Sequence, residues 1–217
     1  MASPVKSRRP YNSAKRREQA EATRQEILTA ARRLFTERGY ARTTIDAIAA
    51  EAGVAPETTY AAFKSKRAIL RRLLDIAAVG DEQPIPMRER PWVRALQEEP
   101  DPVSRVRLFA HEGRMIMERS TDLLMVLREA AGSDPRLAAD WAEANDLMHQ
   151  DHAMFTRALA GDGGLREDVT VEAATDIVWT IASPEVYQRL VRWRGWTPER
   201  YEAWAADTLQ RTLLRAG

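Results

Sequence analysis

Residues 43–63 read TTIDAIAAEAGVAPETTYAAF, and the order of small, apolar and turn residues in this stretch decides the fold. Thr43 stands three residues before Asp46, a capping-box-like start for a short helix that carries Ile45, Ile48, Ala49 and Ala52. Gly53 ends that helix, because glycine tolerates the left-handed or tight backbone a turn requires. Pro56 suits the first position of the next helix, where its missing N–H needs no intrahelical partner. That second helix exposes Glu57, Thr58 and Ala61 and turns Thr59 and Phe63 inward. Two short helices joined by a glycine turn are the ingredients of a helix-turn-helix.

The pattern extends in both directions. Upstream, Ile27, Leu28, Ala31, Leu34 and Phe35 form one face of an amphipathic helix that begins near Ser13 and stops at Gly39. Downstream, Ser65 caps a helix running through Ile69, Leu70, Leu73 and Leu74. Residues 1–12 (MASPVKSRRPYN) lack periodicity and read as a basic flexible arm. Residues 13–64 then make a three-helix unit that contains the helix-turn-helix. Residues 65–217, entered by a long helix, make a larger helical bundle. Residues 80–102 are rich in Pro, Gly and charge and mark a connection with one short helix around Trp92–Gln97. Beyond it, Asp101-Pro102, Asp134-Pro135, Ser183-Pro184 and Thr197-Pro198 each announce a helix start. Stops fall at Gly132, Gly161 to Gly164 and Gly195. No convincing strand is present, so the expected class is all-α.

Composition narrows the functions. The 217 residues are 44% hydrophobic and contain no cysteine, which excludes disulfides, thiol catalysis and cysteine-ligated metals. No apolar run approaches the length of a membrane span, and no secretory signal is visible, so a cytoplasmic protein without a membrane partner is expected. The net charge of +1 hides an asymmetry. Residues 1–80 hold 16 Lys+Arg against 8 Asp+Glu, whereas residues 81–217 hold 17 against 24. A basic module joined to an acidic one points the first half at a polyanion.

Catalytic and metal signatures are weak by comparison. Asp146, His149 and His152 are spaced i, i+3, i+6, but such residues drift apart around a helix and further ligands are not evident. They read as polar or pocket-lining groups, and neither metal nor cofactor is expected. GDGG at 161–164 lacks the lysine and strand context of a phosphate loop. No nucleophile elbow is present.

The run LFTERGYARTTIDAIAAEAGVAPETTYAAFKSKRAIL resembles the tetracycline-repressor (TetR/AcrR) family over about fifty residues. Thr44, Ile48, Ala49, Gly53, Val54, Tyr60, Phe63, Lys66 and Leu70 match the family pattern. The resemblance implies an N-terminal three-helix helix-turn-helix domain joined by a long helix to a C-terminal ligand-binding and dimerisation bundle. It makes Thr43 and Thr44 phosphate contacts and sets Pro56, Glu57 and Thr58 against base edges. Tyr60 and Lys66 become further phosphate ligands. Three positions depart from the pattern. Ala62 replaces a common His or Tyr phosphate ligand, Thr59 replaces an aliphatic residue, and Asp46 stands where a basic or polar contact occurs. Lys64 and the arm, with Arg8 and Arg9, are candidates to restore the lost attraction. The arm has two readings, minor-groove contact or a solvated tail.

The implied function is that of a ligand-responsive transcriptional regulator, a repressor more than an activator. It would bind a pseudo-palindromic double-stranded operator as a homodimer and be released by a small-molecule effector. The other class considered is a helical enzyme or small-molecule-binding module with an incidental basic N-terminus. All six tryptophans lie beyond residue 90, with Met and Phe residues among them. They suggest either a plain bundle core or an effector cavity. For the cavity the candidates are Phe109, His111, Met115, Trp141, Asn145, His152, Thr175 and Trp179. For a dimer interface, the stripes of the last two helical segments offer Ile181, Val186, Leu190, Trp204, Leu209 and Leu213.

Overall fold

The computed structural model describes residues 13–81, 83, 85 and 87–215. Among them the regular elements are helical, and the sole β feature is an isolated antiparallel bridge between Leu165 and Leu214. The chain divides into two compact units, one ending at Ile69 and the other starting at Leu70.

The first unit holds α1 (Ser13–Arg38), α2 (Ile45–Glu51) and α3 (Pro56–Phe63). The apolar stripe of α1, from Ile27 to Phe35, is buried together with Ile45, Ile48, Ala49 and Phe63. Gly39 (φ +76°) and Gly53 (φ +68°) take the left-handed backbone that ends α1 and α2. After α2 the Val54 N–H returns to the Ala49 carbonyl at 3.0 Å, the six-to-one closure of a glycine-capped helix end. Thr43, expected to cap α2, lies one residue too early. Thr44 is the cap, its hydroxyl accepting from the Ala47 N–H.

α4 (Lys66–Val79) carries the chain across the boundary, and Ser65 caps it by accepting from the Ala68 N–H. The second unit continues with α5 (Pro91–Glu98), α6 (Pro102–Ala131), α7 (Pro135–Gly161), α8 (Val171–Ile181), α9 (Pro184–Tyr187) and α10 (Pro198–Leu213). The Asp101, Asp134, Ser183 and Thr197 side chains cap α6, α7, α9 and α10 as their sequence positions imply. α6 packs against both α7 and α10, and α8 against α7 and α10. One core joins Leu96, Val106, Phe155, Leu159, Val178, Leu209 and Leu213. A second joins Met117, Tyr187, Val191, Tyr201 and Ala205.

This core corrects two interface assignments. Leu209 and Leu213 are 1% and 0% exposed and face inward within one chain. The α10 stripe packs against α6, α8 and the turn at Gln188–Trp193, and elements of its own chain already cover it. Ile181, Val186, Leu190 and Trp204 pack only partly buried against the second core. One element was not legible at all: Gln188–Trp193 winds as a π-helical turn after α9, with the Arg194 N–H reaching back to the Arg189 carbonyl at 3.0 Å.

Candidate nucleic-acid interface and ligand cleft

In the first unit, α3 buries Thr59 and Phe63 and leaves Glu57, Thr58, Tyr60 and Ala61 exposed. Pro56 is half-buried at the first helical position. Tyr60 is 51% exposed. Neither its hydroxyl nor the Glu57 and Thr58 side chains bond any described residue, so three polar groups of one short helix stand uncommitted. Thr44 is exposed as well, at the start of α2, where its capping hydroxyl can still donate.

Two expected phosphate ligands are turned inward instead. Thr43 is 1% exposed, and its hydroxyl donates to the carbonyls of Gly39 (2.9 Å) and Leu34 (3.2 Å). It closes the end of α1 and offers no hydroxyl to an outside anion. Lys66 extends its ammonium to the Tyr40 (2.8 Å) and Thr43 (2.7 Å) carbonyls and sits 4.0 Å from the centre of the Tyr40 ring. Burial lowers its pKa below the ordinary lysine value. Lys66 is a strut between α4 and the loop before α2, because that loop has carbonyls with no helical N–H to receive.

Lys64 is exposed and holds the unusual backbone φ 62°, ψ −33°. The Ser65 N–H donates to the Phe63 carbonyl at 2.7 Å, making a tight three-residue turn around it. A side chain at positive φ is costly, and here it places a cation at the end of α3. Arg24, not singled out in the sequence, donates to the Ala62 carbonyl at 2.7 Å and lies 4.3 Å from the Phe63 ring centre. It thereby pins the end of α3 to α1. Arg8 and Arg9 lie outside the described residues.

The second unit contains a cleft of about 710 Å³. Trp141, Asn145, Met148, His149 and His152 line it from one stripe of α7, and Trp179 faces them from α8. Arg128 of α6, Val186 and Arg189 add to the wall, together with the segment joining α8 to α9. Four of the expected cavity residues are therefore present: Trp141, Asn145, His152 and Trp179. Four are not. Phe109 stacks on Phe155 (4.1 Å between centres) and meets His152 edge-on (5.7 Å), so it backs the wall. His111 is exposed and bonded to Glu202 at 3.2 Å. Met115 does not line the cleft, which α6 reaches only through Arg128, roughly 20 Å further along the helix at 1.5 Å per residue. Thr175 is buried in the core, sharing a 2.7 Å hydroxyl contact with Thr156 and donating to the Val171 carbonyl. Val186, expected in an interface, also lines the cleft.

Charges in the cleft are partly spoken for. Arg128 pairs with Glu185 at 3.3 Å and His149 with Asp176 at 3.3 Å. Among the described residues no group of three or more His, Asp or Glu side chains is arranged to hold a metal. His152 has a buried Nδ1 without a partner. Burial first, and the neighbouring His149 second, push its pKa from 6.5 down to about 4. Its folded pKa lies below its unfolded one, so the unfolded chain takes up this proton first. Stability tied to the neutral ring is complete above pH 6.5 and is lost as pH falls toward about 4. Urea midpoints measured across that range should fall less steeply in His152→Phe than in the parent. Parallel curves would place the acid sensitivity elsewhere.

Residues 27–73 match the family model of bacterial regulatory proteins of the tetR family. That segment is tetR-type. No curated protein sequence matches the chain. Solved structures do, over most of its length. The SmeT–triclosan complex superposes with a TM-score of 0.71 at 21% identity, covering 90% of this chain and 93% of that one. NalD, described as the secondary repressor of the MexAB-OprM multidrug efflux pump in Pseudomonas aeruginosa, gives 0.69 at 21% identity, with 92% and 100% covered. The MbdR regulator from Azoarcus sp. CIB gives 0.68 at 20%, with 89% and 100% covered. The chain thus shares the fold of these structures over most of its length, and the tetR-type segment is part of it. No described helix is long and apolar enough to cross a membrane.

Proposed function

We propose that this protein is a ligand-responsive transcriptional repressor that binds a pseudo-palindromic DNA operator as a homodimer. The observation that carries the reading is the tetR-type helix-turn-helix whose α3 leaves Glu57, Thr58 and Tyr60 exposed and uncommitted. In a helix-turn-helix the second helix enters the major groove and the first crosses the backbone. In this reading residues 13–64 bind DNA and the part from residue 65 onward senses the effector and dimerises. Double-stranded DNA, a small molecule and a second copy of the chain are its partners, and the cytoplasm is its compartment. Thr44, Tyr60 and Lys64 hold phosphates, and Pro56, Glu57 and Thr58 face bases.

The effector belongs in the cleft between Trp141 and Trp179. Its α7 wall is tied to α4 by Arg71, which bonds Asp140 at 2.7 Å and Glu143 at 3.1 Å. Arg119 of α6 also donates to the Ala77 carbonyl at the end of α4. A ligand that moves α7 therefore moves α4, the helix that continues into the DNA-binding unit. SmeT with triclosan and NalD as a pump repressor support a ligand-released repressor. Partly buried Ile181, Val186, Leu190 and Trp204 are the remaining candidates for the dimer contact.

The test is anisotropy titration of the full chain against duplexes selected from a random pool, followed by a compound screen for release. Binding should be sequence-specific and should weaken steeply with salt. A releasing compound should shift affinity by about 5- to 150-fold. Turnover of a small molecule without any duplex binding would reject the proposal. Within it, Tyr60→Phe should weaken operator binding by several-fold with no change in melting temperature, because an exposed hydroxyl supports no part of the core. Unchanged affinity on the selected operator would remove Tyr60 from the contact surface.

A further inference from the structure

The exposed face of α3 is chemically unusual for a base-reading helix. Its sequence, PETTYAAF, has no Arg, Lys, Asn or Gln. Guanine presents two acceptors, O6 and N7, which are read best by a two-donor group, and adenine's donor–acceptor pair is read best by an amide. Neither kind of group stands on α3. Its one charged group is Glu57, at the second helical position, exposed and unbonded to any described side chain.

An ionised carboxylate only accepts hydrogen bonds. In the major groove only the cytosine N4 and adenine N6 amines donate. The two amines differ in their neighbours. Adenine N6 lies beside the N7 lone pair, which repels the second carboxylate oxygen, whereas no acceptor of the same base flanks cytosine N4 on the major-groove edge. Position matters as well, since the N-terminal residues of a recognition helix are the ones that reach base edges. The surrounding duplex carries one negative charge per roughly 1.7 Å of axis, so a carboxylate without an amine to meet is repelled.

Resting on the DNA-binding reading above, we propose that Glu57 is a specificity-determining residue that accepts a hydrogen bond from a cytosine N4 amine in each operator half-site. It acts in two ways. It rewards cytosine, and it excludes bases that offer only acceptors at that position. The cost of the carboxylate on unrelated DNA is offset by the net positive charge of the first 80 residues, to which exposed Lys64 at the end of α3 belongs. Specificity therefore comes at the expense of general affinity.

The full-length parent, Glu57→Gln and Glu57→Ala are each used to select from a random duplex pool, and affinities for the winners and for an unrelated duplex are measured. The parent should require cytosine at one position of each half-site, with a wrong base costing roughly 5- to 150-fold. Glu57→Gln should change that position to adenine, which an amide reads through N6 and N7. Glu57→Ala should lose the preference there while binding the unrelated duplex several-fold more tightly. Circular dichroism should show the same helicity for all three and only a slightly lower melting temperature for the two variants, because the exposed carboxylate supports no core contact and only the N-terminus of α3 loses its charge. Identical selected sequences from the three proteins would overturn the assignment of Glu57 while leaving DNA binding intact. A parent that enriches nothing would overturn the DNA-binding reading, and this assignment with it.

Discussion

Leu209→Ala is expected to lower the unfolding free energy of the second unit by about 2–5 kcal/mol, the range for emptying a leucine site in a closed core. Leu209 is 1% exposed among Leu96, Val106, Phe155, Leu159, Val178 and Leu213, contributed by α5, α6, α7, α8 and α10. Five helices converge there, so the neighbours cannot collapse into the void without shifting several elements. Set against a typical domain stability of about 5–15 kcal/mol, the loss is large. Urea unfolding measures it. Sedimentation at a fixed protein concentration, well below the urea transition, should give the same association state for the variant and the parent. A variant that kept its unfolding midpoint but lost self-association would return Leu209 to a subunit interface. Leu209→Glu cannot make this distinction, because a carboxylate buried in that core unfolds the unit whatever its partners.

The reason Leu209 and Leu213 read as interface residues is instructive. An apolar stripe on a helix states that something covers it and does not say whether the cover belongs to the same chain. Local signals were far more informative. Each Asp-Pro, Ser-Pro or Thr-Pro start is settled by one side chain and one backbone N–H a few residues away, and all four caps form as read. The inward and outward residues of α3 follow from 3.6-residue periodicity alone. The cleft was half legible for the same reason. Trp141, Asn145, Met148 and His152 share one α7 stripe, but Arg128, Val186 and Arg189 arrive from elements distant in sequence. Nothing local marks them. The π-helical turn at Gln188–Trp193 was invisible because its i→i+5 hydrogen bonding leaves no mark in residue type or apolar spacing.

Lys66 and Lys64 should separate cleanly, since two lysines two residues apart do different work. Lys66→Met keeps the aliphatic stem beside Tyr40 and removes an ammonium that reaches the Tyr40 and Thr43 carbonyls at 2.8 and 2.7 Å. Hydrogen bonds to a charged group contribute about 1.5–3 kcal/mol net. Two are lost, but the desolvation that depresses the Lys66 pKa is relieved in return, so a loss near 1.5–3 kcal/mol is expected. The released loop precedes Thr44, the cap of α2, so operator affinity should fall through misplacement of α2. The ionic-strength dependence of binding should nevertheless stay unchanged, because no phosphate contact has been removed. Lys64→Ala should do the reverse. Its side chain is exposed and forms no bond to a described residue, so stability should hold, the Cβ that strains the positive φ being present in both residues. The slope of log affinity against log salt should become shallower by up to about 0.9, one phosphate contact. Affinity measured at several salt concentrations, beside thermal unfolding of each variant, makes the comparison. A shallower slope for Lys66→Met at unaltered stability would show that the ammonium leaves its carbonyl partners for DNA, and the strut would then describe only the free protein.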